Sequence, residues 1–165
     1  MKRWLLTLLL FVTIPLPSAQ VIDWENRTGD HHKFLARAIL NNWAPLAHVF
    51  ILENQPLHPG VAGLCNQLES HFYIIQIAPG LENPTEVLLH ELGHVIDFES
   101  GRLSVNPYLW DGEPAQWNLP WDKRPWELSA DEWARCIRYE IEHNEVPNLP
   151  SPFIVDWFNQ PIRFH

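Results

Sequence analysis

The chain has 165 residues, a formal net charge of −9 and 46% hydrophobic residues, which suits one folded domain. Its 20 acidic residues outnumber its 11 basic ones, and no cluster of Lys or Arg is present. These features argue against a nucleic-acid partner, because a nucleic-acid-binding surface concentrates positive charge. We find no internal repeat, low-complexity tract or second domain.

The first 19 residues are typical of a secretory signal peptide. Lys2 and Arg3 form a short basic start, and the apolar run that follows is shorter than the about 20 residues needed to span a bilayer. We predict cleavage after Ala19, with an uncleaved N-terminal anchor as the alternative. The mature domain, residues 20–165, is then expected to be secreted or periplasmic, without stable membrane insertion.

The first part of the mature chain predicts one helix and one strand. Residues 20–29 lack a regular pattern. Asp30 can cap a helix that runs to about Trp43, and residues 46–52 form an apolar run typical of a strand. Residues 53–70 contain several Pro and Gly residues and predict a loop.

A strand and a capped helix are predicted next. Residues 71–78 are rich in β-branched and aromatic side chains and end at a Pro-Gly turn. Asn83 fits the N-cap of the helix, with Pro84 in its first turn and Glu86 placed to complete a capping box. Gly101 predicts the end of this helix.

This helix carries an H-E-x-x-H motif at residues 90–94. His90 and His94 are four residues apart, so both imidazoles share a helix face and can bind one metal ion. Glu91 lies beside them, where it can bind a water molecule and accept its proton. Two nitrogen ligands and a neighbouring carboxylate are the minimum for metal-assisted hydrolysis. The alternative is a structural helix with two hydrogen-bonded or exposed histidines.

A long stretch rich in Pro and Trp, residues 101–126, joins the motif helix to the next helix. A long loop with so many large aromatic residues is seldom without a function. It either packs over the site as part of a substrate cleft or covers one side of the core as a second apolar cluster. The tryptophans that decide between these interpretations are Trp110, Trp117 and Trp121.

The next helix, residues 125–141, is predicted to supply the third metal ligand. Glu127 and Asp131 are four residues apart and share a face, and Ala130 and Ala134 would let this helix approach the motif helix closely. Glu127 would bind the metal, and Asp131 would accept a hydrogen bond from the outer ring nitrogen of a metal-bound histidine. The ordinary alternative is an acidic, solvated helix face. Three other acidic residues are weaker candidates for the third ligand: Glu132, Glu99 and Asp97.

The remaining features are the cysteines and the C-terminal tail. Cys65 and Cys136 are the only cysteines, and in an oxidising compartment they form either one disulfide or two buried free thiols. The tail after Asn144 is Pro-rich, and Ser151 could begin a short last helix.

The two predicted site helices resemble the gluzincin signature, H-E-x-x-H followed by E-x-x-[AS]-[DE]. The metzincin pattern does not fit, since Asp97 and Ser100 occupy the places of its glycine and its third histidine. The sequence HELGHVIDFE followed by E-x-x-A-D-x-x-A is most similar to the catalytic domains of anthrax lethal-factor-like metallopeptidases. The resemblance covers roughly residues 71 to 140.

This resemblance implies an α+β, zincin-like fold, in which a small twisted sheet packs on the active-site helix and a second helix bears the glutamate. It also implies hydrolysis of peptide bonds with Zn2+ as cofactor. In that case Glu91 is the general base and Asp131 contacts a ligand histidine. The metal ligands are His90, His94 and Glu127.

One feature of the family is missing, and one is expected elsewhere in the chain. Lethal-factor-like enzymes carry a tyrosine shortly before the ligand glutamate that stabilises the oxyanion, but the seven residues before Glu127 include none. Four residues could replace this tyrosine, and the spacing favours none of them: Tyr108, Tyr139, His143 and Arg124.

Zincins bind an extended peptide along an edge strand, for which strand 71–78 is the candidate.

We therefore predict a secreted zinc metallopeptidase, a monomer that acts on a peptide or protein substrate. One alternative is a non-catalytic zinc-binding or adhesion module that retains the zincin fold. Another is an enzyme that hydrolyses a different amide, such as a cell-wall crosslink. The presence of Glu91 favours catalysis, because a purely structural site has no use for a general base.

Overall fold

The structure, a computed structural model, describes residues 18–22, 30–116 and 118–143. These residues form an α+β fold with three α-helices and two sheets, which confirms the predicted class. Among them, no helix combines the length and apolar character that crossing a bilayer requires. The elements are β1 (Gln20–Ile22), α1 (Asp30–Trp43), β2 (His48–Leu52), β3 (Gly63–Glu69), β4 (Phe72–Ile77), α2 (Pro84–Glu99), β5 (Leu103–Val105), β6 (Tyr108–Trp110), β7 (Glu113–Pro114), a short 3-10 helix (Trp121–Lys123) and α3 (Pro125–Glu142).

The larger sheet has four strands in the order β1-β2-β4-β3. Strands β1, β2 and β4 are parallel, whereas β3 runs antiparallel to β4. Alternate residues of β2 and β4 are buried, as the two-residue period of a strand requires when one face packs on helices. The buried side chains on this face are Val49, Ile51, Tyr73, Ile75 and Ile77.

Strand β3 corrects two expectations. Residues 53–70 were expected to be a loop, but they contain this strand, and the strand 71–78 lies inside the sheet as β4. The antiparallel edge is therefore β3. Its sequence, GLCNQLE, has no β-branched or aromatic residue, so strand propensity gives little signal. Pairing with β4 instead decides its conformation, for example through the register of Cys65 with Ile75.

Helix α2 begins and ends where its capping residues predict. The side chain of Asn83 accepts a hydrogen bond from the backbone N–H of Glu86, and Ser100 and Gly101 end the helix, with Gly101 at φ +77°. The carboxylate of Glu86 pairs with Arg138 of α3. This side chain therefore joins two helices instead of completing the predicted capping box.

Helix α3 packs closely against α2 because both helices have small residues at the contact. A Cβ atom at Gly93 would lie only 2.9 Å from both the Cα and the carbonyl oxygen of Ala130. Nearby, the fully buried Asp97 accepts hydrogen bonds from the Ser129 hydroxyl and the Trp133 indole, both at 3.1 Å. The predicted close approach of the two site helices is thus confirmed, and it explains why a glycine is tolerated inside α2.

The segment between the site helices is more regular than the expected loop. It forms a small antiparallel sheet, β5-β6-β7, followed by the 3-10 helix. Arg102 lies over the ring of Trp110, at 4.5 Å from the ring centroid, and Trp110 also packs against the core. The packing of Trp110 fits the interpretation of this segment as a second apolar cluster that covers one side of the core. Trp117 lies outside the described residues.

Several other expectations fall partly or wholly outside the described residues. They are most of the signal peptide (residues 1–17), residues 23–29, the tail from residue 144 onwards and the helix expected at Ser151. Residues 20–22, expected to be irregular, form β1. Both cysteines are free, with Cys65 on β3 and Cys136 exposed on α3, so the disulfide alternative is wrong for this structure.

Candidate metal centre

Three side chains on two helices converge at one point. His90 and His94 project from the same face of α2, and Glu127 projects from the first turn of α3. The Glu127 Oε2 atom lies 3.3 Å from the Nε2 atom of His90 and 3.3 Å from the Nε2 atom of His94. These are the only His, Cys, Asp or Glu residues of the described ranges that form such a potential metal-binding group.

The geometry and chemistry of this group fit zinc. Bonds of about 2.0–2.2 Å to a tetrahedral zinc ion separate neighbouring ligand atoms by about 3.4 Å. The two measured nitrogen-to-oxygen distances of 3.3 Å agree with that separation. They are long for a charged hydrogen bond, which is usually about 2.7–2.9 Å. Two imidazoles and one carboxylate are also a ligand set of catalytic zinc sites, one that keeps a fourth position for water.

The orientation of His90 is held from two sides. Its Nδ1 atom lies 2.8 Å from Oδ1 of Asp131, one turn after Glu127 on α3. With the proton on Nδ1, His90 donates to Asp131 and turns an unprotonated Nε2 towards the other ligands. The half-exposed indole of Trp121 stacks on the His90 ring, with centroids 5.7 Å apart. The segment between the helices therefore also contacts the site, as the other interpretation of it predicted.

Glu91 lies beside the ligands in a buried position next to the edge strand. Glu91 is only 5% exposed, and its carboxylate accepts a hydrogen bond from the backbone N–H of Cys65. Gly63 provides the necessary space, because a Cβ atom there would lie 2.4 Å from Oε1 of Glu91 and 2.5 Å from Cγ1 of Val87. Strand β3 thus contacts the predicted base through its backbone.

The electrostatics of the group favour a negative Glu127. Burial alone would raise the pKa of its carboxyl, but the nearby imidazoles of His90 and His94 outweigh this and lower it to about 2. Burial alone would lower the pKa of His90, but Glu127, Glu91 and Asp131 together raise it. Burial raises the pKa of Glu91, and the two histidines only partly oppose this rise.

A further contact holds the second oxygen of the ligand carboxylate. The indole Nε1–H of Trp126 donates a hydrogen bond of 3.0 Å to Oε1 of Glu127. Trp126 is 2% exposed. The sequence pattern placed Trp126 in the Pro- and Trp-rich stretch but did not predict this hydrogen bond. Its position next to Glu127 was visible, but the direction of the indole was not.

The other acidic candidates for the third ligand lie elsewhere. Glu99 accepts a hydrogen bond from the hydroxyl of Tyr73 at 2.6 Å, and Asp97 binds α3 as described above. Glu132 is exposed on α3. None of the three joins the potential metal-binding group of the described residues.

Two of the four residues that could replace the family's oxyanion-stabilising tyrosine are too far from the proposed ligands. Tyr139 and His143 stack on each other at the C-terminal end of α3, and Tyr139 lies about 18 Å along the helix from Glu127 at 1.5 Å per residue. Tyr108 instead packs edge-on against Trp126, with centroids 5.8 Å apart. Burial and, to a lesser extent, the charge of Glu127 raise the pKa of Tyr108 to about 12.

The fourth candidate, Arg124, immediately precedes α3. Its charge partly opposes the rise in the pKa of Tyr108, which places the two side chains in the same region. The Nε atom of Arg124 donates to the carbonyl oxygen of Leu119 at 3.0 Å. Tyr108 and Arg124 are therefore the two candidates on the side of the molecule where the ligands converge.

Comparisons with protein-family models, with curated proteins and with solved structures found no match to this chain. Its function is therefore inferred from the site itself.

Proposed function

We propose that this protein is a zinc-dependent metallopeptidase that hydrolyses peptide bonds. The observation that carries the proposal is the convergence of His90, His94 and Glu127, with 3.3 Å between Glu127 Oε2 and each histidine Nε2. Glu91 also supports the proposal, because its carboxylate lies next to the three proposed ligands but is not one of them. In line with the signal-like N-terminus, we propose a secreted or periplasmic monomer that acts on peptides or proteins.

The arrangement of elements supports a zincin-like fold. A motif helix packs beneath a mixed sheet, a second helix brings the glutamate, and an antiparallel strand, β3, forms the edge beside the motif helix. The outer edge of β3 could pair with an extended peptide, which would gain main-chain hydrogen bonds there. Because Gly63 and Cys65 of this strand contact Glu91, a peptide bound along it would lie next to the proposed base.

Zinc held by the three ligands would supply Lewis-acid polarisation of the scissile carbonyl and lower the pKa of water towards about 7. The carboxylate of Glu91 accepts the proton of the attacking water and then passes it to the leaving amine. Asp131 keeps the proton of His90 on Nδ1, so that Nε2 stays available as a ligand. The burial of Glu91 keeps bulk water away from this proton transfer.

The non-catalytic alternative is a zinc-binding module that retains the same ligands. A buried carboxylate costs free energy unless it is compensated. The Cys65 backbone N–H and the charges of the two histidines do not outweigh the burial of Glu91, since its pKa stays raised. A module that only holds metal would gain nothing from this cost. This observation favours the enzyme over the module.

Replacement of the base tests the proposal. We expect Glu91→Gln to bind zinc within about threefold of the wild-type affinity while kcat falls by about 10²–10⁴-fold, because it retains the ligands but cannot accept a proton. His90→Ala should lose both zinc and activity. Metal analysis of the purified protein, followed by casein cleavage with and without a chelator, measures both properties.

Glu132→Gln is the matched control, because it makes the same chemical change on the exposed face of α3. It should leave both properties unchanged. Full activity of Glu91→Gln would exclude Glu91 as the base, and wild-type protein that binds zinc but cleaves no peptide would favour the non-catalytic module. Cleavage of a different amide under chelator control would instead favour the other hydrolase.

A further inference from the structure

The ligand carboxylate of Glu127 has its two oxygens in different surroundings. Oε2 faces both histidine Nε2 atoms, whereas Oε1 accepts the 3.0 Å hydrogen bond from the Trp126 indole. The donor is fixed in position because Trp126 is 2% exposed and its ring contacts Tyr108. The two oxygens are therefore not interchangeable while the indole stays where it is.

The number of carboxylate oxygens on the metal matters for chemistry. A carboxylate can bind a cation through one oxygen or through both. Two histidines and both oxygens of Glu127 would fill four positions, whereas a catalytic zinc site keeps one position for water or substrate. A hydrogen bond to one oxygen opposes the rotation that brings it to the metal, because that rotation would break the bond to the buried indole.

We infer that Trp126 is a positioning residue that holds Glu127 to single-oxygen ligation and so preserves the open position at the metal. This inference rests on the metal site of the proposed function. Because Trp126 is buried, its proposed action is through the carboxylate of Glu127. It complements Asp131, which orients the ligand His90 from the outside in the same way.

The chain contains a closely matched control for this inference. The indole of Trp133, also on α3, donates a 3.1 Å hydrogen bond to Asp97, a buried carboxylate outside the ligand group. Trp126→Phe and Trp133→Phe each keep an aromatic ring and remove one indole-to-carboxylate hydrogen bond. A general loss of packing should affect both variants alike, whereas a role in positioning Glu127 should affect only the first.

The experiment compares full-length wild type with the two variants. Zinc dissociation constants are measured by competition with a coloured chelator, and visible absorption spectra are recorded after replacement of zinc by Co2+. For Trp126→Phe we expect zinc affinity to fall by about 10–100-fold, the range found when an outer partner of a ligand is removed. Its Co2+ bands should also change in position and intensity, because a second carboxylate oxygen changes the set of atoms bound to the metal.

Trp133→Phe should keep its zinc affinity within about threefold of wild type and its Co2+ spectrum unchanged, whatever its melting temperature. The inference is overturned if Trp126→Phe keeps the wild-type affinity and spectrum, or if Trp133→Phe changes both to the same extent. Wild-type protein that binds neither metal would overturn the proposed site together with this inference. The other two results overturn the inference alone.

A measurement on the wild-type protein covers the case in which Trp126→Phe does not fold. With ¹⁵N-labelled tryptophan, the indole N–H signal of Trp126 should stay protected from solvent exchange after zinc is added. Protection that disappears on zinc binding would show that Oε1 has left the indole for the metal, and would overturn the inference.

Discussion

The absence of a side chain at Gly63 leaves room for the carboxylate of Glu91, the proposed base. We expect Gly63→Ala to lower kcat/KM by about 100-fold, the effect of displacing a catalytic group by about 1 Å. The added Cβ would lie 2.4 Å from Oε1 of Glu91, which must move away. It would also lie 2.5 Å from Cγ1 of Val87, a β-branched side chain that is stiff in a helix, so the melting temperature should fall as well. Zinc affinity should change little, and peptide-cleavage kinetics with parallel zinc titration measure the difference.

Asn66→Ala provides the comparison for Gly63→Ala, because Asn66 is exposed on the same strand. It should leave kcat within about twofold of wild type, as surface substitutions usually have small effects. Unchanged kinetics in Gly63→Ala would mean that Glu91 does not need its present position.

At the scale of single residues, the sequence predicted which side chains share a helix face. His90, His94, Glu127 and Asp131 follow from four-residue spacing, and the structure brings all four together. The spacing could not show the parts played by Gly63 and Trp126. These depend on how β3 and the indole lie against side chains whose relative positions only tertiary packing defines.

The contact between α2 and α3 decides whether Glu127, the proposed third ligand, reaches the two histidines. We expect Gly93→Ala to weaken zinc binding by at least about tenfold and to lower the melting temperature. The new Cβ would gain about 1 kcal/mol of helix propensity. It would, however, lie 2.9 Å from backbone atoms of Ala130, which cannot rotate away. Overpacking of this kind typically costs about 1–3 kcal/mol and would shift α3 together with Glu127.

Leu128→Ala is a suitable control for Gly93→Ala, since Leu128 is about half exposed on α3. It should leave zinc affinity unchanged in the same chelator-competition assay. A Gly93→Ala protein that is more stable than wild type and binds zinc equally well would contradict the close contact.

Among the elements, the sequence predicted best those whose ends carry local signals. Helix α2 has Asn83 at its start and Gly101 after its end, and both act as predicted. Strand β3 was missed because its residues carry no strand preference and its partner, β4, follows it along the chain. The small sheet β5-β6-β7 was missed for a different reason, because its strands have only two or three residues each and are too short to show a two-residue period.

At the scale of the whole molecule, His31 makes stability depend on pH. Burial, assisted by the charge of His32 and opposed by Glu53, lowers the pKa of His31 from 6.5 to about 4. As pH falls, the unfolded chain therefore takes up this proton before the folded one does. The contribution of neutral His31 to stability is complete above pH 6.5 and is lost as pH falls towards 4.

We expect His31→Gln to lose less unfolding free energy than wild type between pH 6.5 and 4, because glutamine does not titrate. Urea unfolding of both proteins at the two pH values measures this difference. A chelator should be present throughout, so that release of zinc from protonated histidines does not contribute. Equal losses in the two proteins would rule out His31 as a source of acid sensitivity.

The sequence by itself determined the chemistry that this chain can offer. Helical spacing places two imidazoles and a carboxylate on one helix, and a glutamate and an aspartate on another. Only the tertiary structure decided that the two helices meet with ligand atoms 3.3 Å apart, that β3 is the edge beside Glu91, and that an indole holds the free oxygen of Glu127. The physical reason is that spacing acts within one element, whereas these contacts depend on packing between elements distant along the chain.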